Sequence, residues 1–384
     1  MTSYLSNFQK EKTDILSFTI QNCDVSLVNA LRRLILSDVE TVGFNTEPYN
    51  ESDIKIIENT SSLHNEFLLQ RIGLVPLFVN DVNKFDPSKY KFSLNVQNTS
   101  NNILSVTTKD IKITDADTND EVSNDTFFKA NPITNDHILI IKLKPNPNKE
   151  GEKLHFEGVA SIGNGSKHSR FSPVSCITYI NVIDQEKYNV ALEKFIEESE
   201  GENSDLEAKF KTTYGERYFK TNSLERPSEF EFTIESIGAL KPYIIFLKAL
   251  DILIIKLTYF LNNLEKNSDK VKIQESVGVM KGYDIIINNE NHTLGYLLQS
   301  YIQILHNDDI NFVGYRNPHP LKDNIELTIS TSDNNIDKIK TLINSTSKSI
   351  IEIINNVKKE IHKEFKVTTI IKNSGSKKII KTKN

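Results

Sequence analysis
The chain reads as an α+β protein of two related strand–helix units, with a β-rich domain inserted into the first. Three observations predict this. Residues 18–35 and 285–302 align without a gap, each a short alternating strand running into an apolar stripe. The stripes are Leu27, Ala30, Leu31, Leu34, Ile35 and Leu294, Leu297, Leu298, Tyr301, Ile302. Both hold the i, i+3, i+4, i+7, i+8 spacing of one buried helix face. Next, Val42-Gly43-Phe44-Asn45 after the first helix is answered by Val313-Gly314-Tyr315-Arg316 after the second. Finally, the strand pattern at 230–236 is answered at 325–331, and each leads into a long apolar helix. Three matches in one order point to a pseudo-twofold pair of units fused end to end.

Composition narrows the function. A chain of 384 residues has room for two or three domains and a sizeable core. A net charge of -5 and a pI near 6.0 give no basic field of the kind that marks a nucleic-acid binder. Two cysteines, Cys23 and Cys176, cannot alone make a zinc site or a disulfide framework, and a reducing compartment is the default. Residues 1–14 are polar and lack a signal-peptide pattern. The most membrane-like run, 243–261, is interrupted by Lys248, Asp251 and Lys256, which makes it a buried helix of a soluble protein.

Taken in order, the elements divide the chain. The first unit is expected over 1–49 and 173–265, the inserted domain over 50–172, a flexible linker over 266–280, the second unit over 281–366, and a basic flexible tail over 367–384. Ser26 and Thr293 stand where the helix N-caps belong. In the insertion, residues 61–72 read as a helix capped by serine and stopped by Gly73 and Pro76. Strands are predicted at 92–96, 103–106 and 138–143, separated by turn signals such as Asp86-Pro87, Asn131-Pro132 and Pro145-Asn-Pro147. Residues 175–183 alternate as a strand, and 197–207, with six acidic residues, read as a solvated loop.

Each unit ends in a long helix. Residues 241–264 carry Pro242 in the first turn and are apolar nearly all round, so more than one side needs cover. Residues 336–365 alternate at three and four: Ile336, Ile339, Ile343, Thr346, Ile350, Ile353, Val357, Ile361, Phe365. Burying such side chains is worth ~1.5–3 kcal/mol each, gross, so the two long helices are expected to cover each other. The intramolecular dimerisation set is Leu27, Leu31, Leu294, Leu298, Leu250, Leu257, Ile343, Ile350 and Val357. After Glu364 the tail holds six lysines and no acid.

These residues carry a family resemblance. Asn29-Ala-Leu-Arg-Arg-Leu-Ile-Leu36 and the run from Glu58 through His64-Asn-Glu-Phe-Leu-Leu-Gln-Arg-Ile-Gly-Leu-Val-Pro-Leu77 resemble the third subunit of eukaryotic RNA polymerase II and its archaeal (D) and bacterial (α) counterparts. Lys167-His-Ser-Arg-Phe-Ser-Pro-Val174 is similar to the return from that family's inserted domain. Asn291-His-Thr-Leu-Gly-Tyr-Leu-Leu298 with Phe312-Val-Gly-Tyr-Arg-Asn-Pro-His-Pro-Leu321 resembles the eleventh subunit and its archaeal (L) counterpart. Both in tandem resemble the fused subunit of large cytoplasmic DNA viruses. Val28 replaces a common glycine, Tyr296 replaces the usual asparagine, and the insertion lacks the cysteines with which many relatives hold zinc or an iron–sulfur cluster.

The resemblance implies a non-catalytic platform for assembling a multisubunit DNA-directed RNA polymerase, without cofactor or metal. The implied partners are the largest and second-largest subunits and a small zinc-binding subunit, with little direct nucleic-acid contact and no membrane. The implied location is the cytoplasm of an infected cell, with the virion and the nucleus as alternatives. Interface candidates are Asn29, Arg32, Arg33, Glu66, Arg71, Arg316 and His319. For the arginines the plain reading is a solvated helix face. A planar guanidinium also suits bidentate pairing with a partner's carboxylates. His64, His168, His292 and His319 lie in four separate segments without ligand spacing and read as structural or surface residues. No phosphate loop, nucleophile elbow or carboxylate cluster supports an enzyme on a ferredoxin-like core. A scaffold unconnected to transcription is the remaining alternative.

Overall fold
A computed structural model describes residues 3–366 except 13, 80, 147–149, 200–204, 278–280 and 334. The tail, part of the acidic loop and the end of the expected linker therefore lie outside the described residues. The helices are α1 (Val25–Ser37), α2 (Asn65–Gly73), α3 (Gln185–Glu198), α4 (Leu206–Tyr214), α5 (Pro242–Lys266), α6 (His292–His306) and α7 (Ile336–Glu364).

Two four-stranded antiparallel sheets form the frame. The first runs Leu5–Lys12, Ile15–Gln21, Glu229–Ser236, Val174–Asn181 in spatial order; the second runs Val271–Glu275, Tyr283–Asn288, Asn324–Ser330, Phe312–Arg316. Position for position the orders match. The repeat therefore begins one strand earlier than the sequence suggests. Residues 5–12 read only as polar in the sequence, and 271–275 read as linker. Both are edge strands, where one face and one edge meet water and the apolar alternation is weak.

The linker expectation is corrected accordingly. α5 runs to Lys266, Asn267 caps it in the left-handed conformation (φ 44°), and Val271 already begins a strand after the turn 267–270. The second sequence match is also corrected. The counterpart of Phe312–Arg316 is Val174–Asn181, the edge of the first sheet. Thr41–Gly43 pairs instead with Ser161–Gly163, and Val42 and Phe44 are buried in the core of the insertion. That strand belongs with the insertion rather than with residues 1–40.

Local chemistry explains the repeated turn. Asn22 and Asn289 both take positive φ, 58° and 60°, which asparagine tolerates better than most residues. Two residues later Asp24 and Asn291 cap α1 and α6, accepting from the N–H of Ser26 and of Thr293, both at 2.9 Å. The caps thus precede the expected Ser26 and Thr293. Short carboxylate and amide side chains reach the first-turn amides and leave the hydroxyls inside the helix. α2 likewise starts at Asn65 behind His64, which makes no side-chain cap, and Gly73 lies inside the helix.

α1 packs on α5 and α6, and α7 packs on α5 and α6, so the four helices form a closed ring. α1 and α5 lie on the first sheet and α6 on the second. One continuous core joins Phe18, Phe230 and Phe232 of the first unit to Ile285, Leu327 and Ile354 of the second. The insertion has a separate core around Phe92, Phe128 and Phe156, built on a five-stranded sheet, a two-stranded ribbon and α2. The strands expected in it occur at Tyr90–Gln97, Leu104–Thr107 and Leu139–Leu143.

Candidate assembly interface
The nine apolar residues assigned to dimerisation are all buried in the shared core. Leu27 and Leu31 come from α1, Leu294 and Leu298 from α6, Leu250 and Leu257 from α5, and Ile343, Ile350 and Val357 from α7. Their stripes face one another because aligned positions of a repeat point the same way from each frame.

Polar groups ring this seam. Arg33 Nε donates to Thr293 Oγ1 at 2.8 Å, and Arg226 Nη2 to Gln303 Oε1 at 3.0 Å. The Tyr301 hydroxyl accepts from the Asp24 amide at 3.5 Å, and burial raises its pKa well above the usual value. Cys23 beside it is pushed up to about 12, first by burial and then by Asp24 and Glu360, which leaves it an unreactive core thiol. Lys358 pairs with Asp251 across α7 and α5.

Lys256, on α5, faces one carboxylate from each unit at the seam. It lies 3.2 Å from Asp38 and 3.5 Å from Glu290, so it ties the end of α1 to the turn before α6. Burial works against its charge, but Glu290 and Asp38 outweigh burial and hold its pKa above the ordinary lysine value. At Glu290 burial dominates and raises the carboxyl despite Lys256. The two partners thus point in opposite directions. One ammonium there answers two carboxylates, so Lys256 keeps its charge while buried Glu290 holds a proton more tightly than an exposed glutamate. Lys256 and Asp251 stand out in the sequence as charges inside an apolar helix, and that is the available signal that each needs a partner.

The seven interface candidates do not form one cluster. Asn29 and Arg32 pair on α1, with Arg32 Nε and Nη2 at 3.1 and 3.0 Å from Asn29 Oδ1. Arg33 is half-buried and donates through Nε to Thr293 within the chain. Arg71 is exposed, and its Nε and Nη2 donate to the carbonyls of Ile140 and Leu139 at 2.9 and 2.8 Å. It holds an inserted strand against α2. Glu66 is exposed in the first turn of α2, beside exposed Phe67. Arg316 pairs with Glu326 across two strands at 2.7 Å, and exposed His319 accepts from the Leu321 amide at 3.1 Å.

Sequence reasoning missed the aromatic rim near α1. Burial raises the Tyr179 and Tyr315 hydroxyl pKa values, while Arg32 opposes the shift at Tyr179 and Arg33 opposes it at Tyr315. Tyr296 adds to both shifts, and its ring lies 6.5 Å from that of Tyr315. His292 joins it through Tyr315, ring edge to face at 5.8 Å.

The return from the insertion is held by Arg170. Its side chain, only 2% exposed, donates to Thr46 Oγ1, to the Phe44 carbonyl at 3.3 Å and to Glu47 Oε1 at 3.0 Å. The His168 ring accepts from the Arg170 amide at 3.1 Å. Among the described residues no group of histidine, cysteine and carboxylates is arranged to hold a metal, and no helix is long and apolar enough to cross a membrane.

Two sheet-and-helix units that share one core define a dimerisation module carried in a single chain. The chain belongs to the family of RNA polymerase Rpb3/Rpb11 dimerisation domains, which matches residues 17–257 and again residues 283–360. Among curated proteins it is similar to a conjugation stage-specific protein of Tetrahymena thermophila, 28% identical over 69% of this chain and 95% of the relative. It is 27% identical to DNA-directed RNA polymerase subunit Rpo3 of Thermococcus kodakarensis, over 68% of this chain and 97% of that protein. It is 28% identical to the RPAC1 subunit of DNA-directed RNA polymerases I and III of Saccharomyces cerevisiae, over 64% of this chain and 83% of that protein.

Proposed function
We infer that this chain is a non-catalytic assembly subunit of a multisubunit DNA-directed RNA polymerase, combining in one polypeptide two units related by a pseudo-twofold axis. The carrying observation is the tandem family match, 17–257 and 283–360, on two sheets of the same strand order around one ring of helices. The first unit is assigned to 1–49 and 173–266 less the strand Thr41–Gly43, the insertion to 50–172 with that strand, and the second unit to 271–366. Its work is to hold the largest and second-largest subunits, with a small zinc-binding subunit alongside. Asn29, Arg32, Glu66, Arg316 and His319 are the polar contacts offered to them. The resemblance of the fusion to that of large cytoplasmic DNA viruses supports a role in viral transcription in the cytoplasm of an infected cell, with the virion and the nucleus as alternatives.

Affinity purification of the tagged chain with mass spectrometry tests this reading. Two very large polymerase subunits are expected in stoichiometric yield, and their absence would leave a scaffold unconnected to transcription. Arg32→Glu keeps the chain folded and weakens that capture, because reversing a charge at an interface costs on the order of several kcal/mol. Cleavage in the turn 267–270 leaves the halves associated, and light scattering gives a monomer mass. A dilution-resistant dimer would mean that the second unit is exchanged between chains.

A further inference from the structure
We propose that residues 3–12 form a strap that orders only when the end of α7 is seated, with Glu360 as its catch. The strap belongs to the first sheet and the catch to the second unit. The Glu360 carboxylate accepts from the Tyr4 amide at 3.0 and 3.1 Å and from the Leu5 amide at 2.8 Å, with the Ser3 hydroxyl at 3.4 Å. Phe365, just beyond α7, stacks on Tyr243 of α5 at 4.5 Å and 11°, and meets Phe8 edge-on at 6.0 Å. Phe8 in turn stacks on Phe18 at 5.6 Å. Leu5 is buried in the shared core.

The strap is weak on its own. Its pairing with Ile15–Gln21 shifts register between Ser6 and Gln9 and again between Gln9 and Lys12, and Asn7 takes a φ of 51°. Its counterpart Val271–Glu275 pairs without a shift. Bulges interrupt the ladder and leave an edge strand with few regular bonds. What the ladder lacks, the second unit supplies as charge-assisted hydrogen bonds and an aromatic clamp. Linkage makes the effect mutual, so a seated strap also steadies the last turns of α7. Seating of the second unit is thereby coupled to closure of an edge of the first sheet. The proposal stands whether or not the chain serves a polymerase.

Hydrogen exchange on the full chain, read by mass spectrometry, tests it. Glu360→Ala should speed exchange at residues 4–9 by about tenfold or more, and at the amides of 15–21 that face the strap, such as Gln21, with 230–235 unchanged. Glu360→Gln, which keeps an acceptor and loses the charge, should give a smaller change. Unchanged exchange at 4–9, or equal loosening of the whole first sheet, would overturn the proposal. A chain lacking residues 2–12 provides a second test that leaves Glu360 in place. It should fold, with exchange at 357–364 accelerated several-fold. Protection there equal to that of the full chain would overturn mutual seating.

Discussion

The two units share a frame and differ at its rim. Asn22 and Asn289 make the same left-handed turn, Asp24 and Asn291 the same cap, and Leu31 and Leu298 the same buried knob. Where the frames diverge, they do so in complementary fashion. Arg33 stands where the second copy has Ser300, and it reaches across to Thr293 rather than pairing at home. Lys256 of the first long helix answers Glu290, whose aligned counterpart is the apolar Cys23. Buried positions keep their spacing and apolar character while sizes trade, as at Ala30 with Leu297 and Leu34 with Tyr301, because a core is packed to a total volume. Polar positions at the seam are free to become unlike, and unlike groups can favour the cross pair over two copies of either unit.

The strongest way to break this comparison is at the knobs. Leu31→Ala and Leu298→Ala should each cost ~2–5 kcal/mol in denaturant unfolding, because both leave a cavity in one core. A loss from one and none from the other would mean that the units are not energetically equivalent.

The cross pair at Lys256 comes next. Lys256→Met leaves Asp38 and Glu290 facing each other without a cation and should lower stability by ~1–3 kcal/mol at pH 7. Glu290→Gln should cost less, since burial already disfavours its charge. The pH dependence has a definite sign. Glu290 has a raised folded pKa, so the folded state holds its proton more tightly than the unfolded chain. Relative to Glu290→Gln, the natural chain should gain stability as pH falls through that raised pKa toward the unfolded value and lose it as pH rises. Lys256, also raised, contributes stability that is complete below its unfolded pKa and is lost as pH climbs through the folded one. Unfolding curves of the natural chain and both variants, from pH 4 to pH 7 and again above pH 10, would check both signs.

A double-mutant cycle at Arg33 and Thr293 sharpens the rim. Each alanine variant should cost ~0.5–1.5 kcal/mol, and the pair should cost less than the sum. Additive losses would mean that the 2.8 Å contact carries no coupling. The smallest effect belongs to Arg71→Ala, which should loosen Leu139–Leu143 in hydrogen exchange and leave both sheets of the frame untouched.

Legibility in the sequence follows the same division. The stripes on α1, α6 and α7 are legible because burial imposes a helical period over many residues. The insertion shows its strands through turn signals between apolar runs. Residues 5–12 and 271–275 are illegible as strands, since edge strands have little to bury. Arg33 and Arg71 read as surface arginines because sequence gives the donor and not the acceptor. Ser26 and Thr293 pass for caps because a hydroxyl before an apolar stripe fits as well as Asp24 or Asn291 two residues earlier.

The turn 267–270 has a kinetic consequence. It joins the cap of α5 to the first strand of the second unit, and α5 itself packs on α7. Ribosomes therefore deliver the two units in equal number and already adjacent. Their meeting is a first-order event whose half-time does not lengthen when the protein is scarce, as a two-chain encounter would. At the start of expression, with only a few copies present, each finished chain can fold its platform without waiting to collide with another.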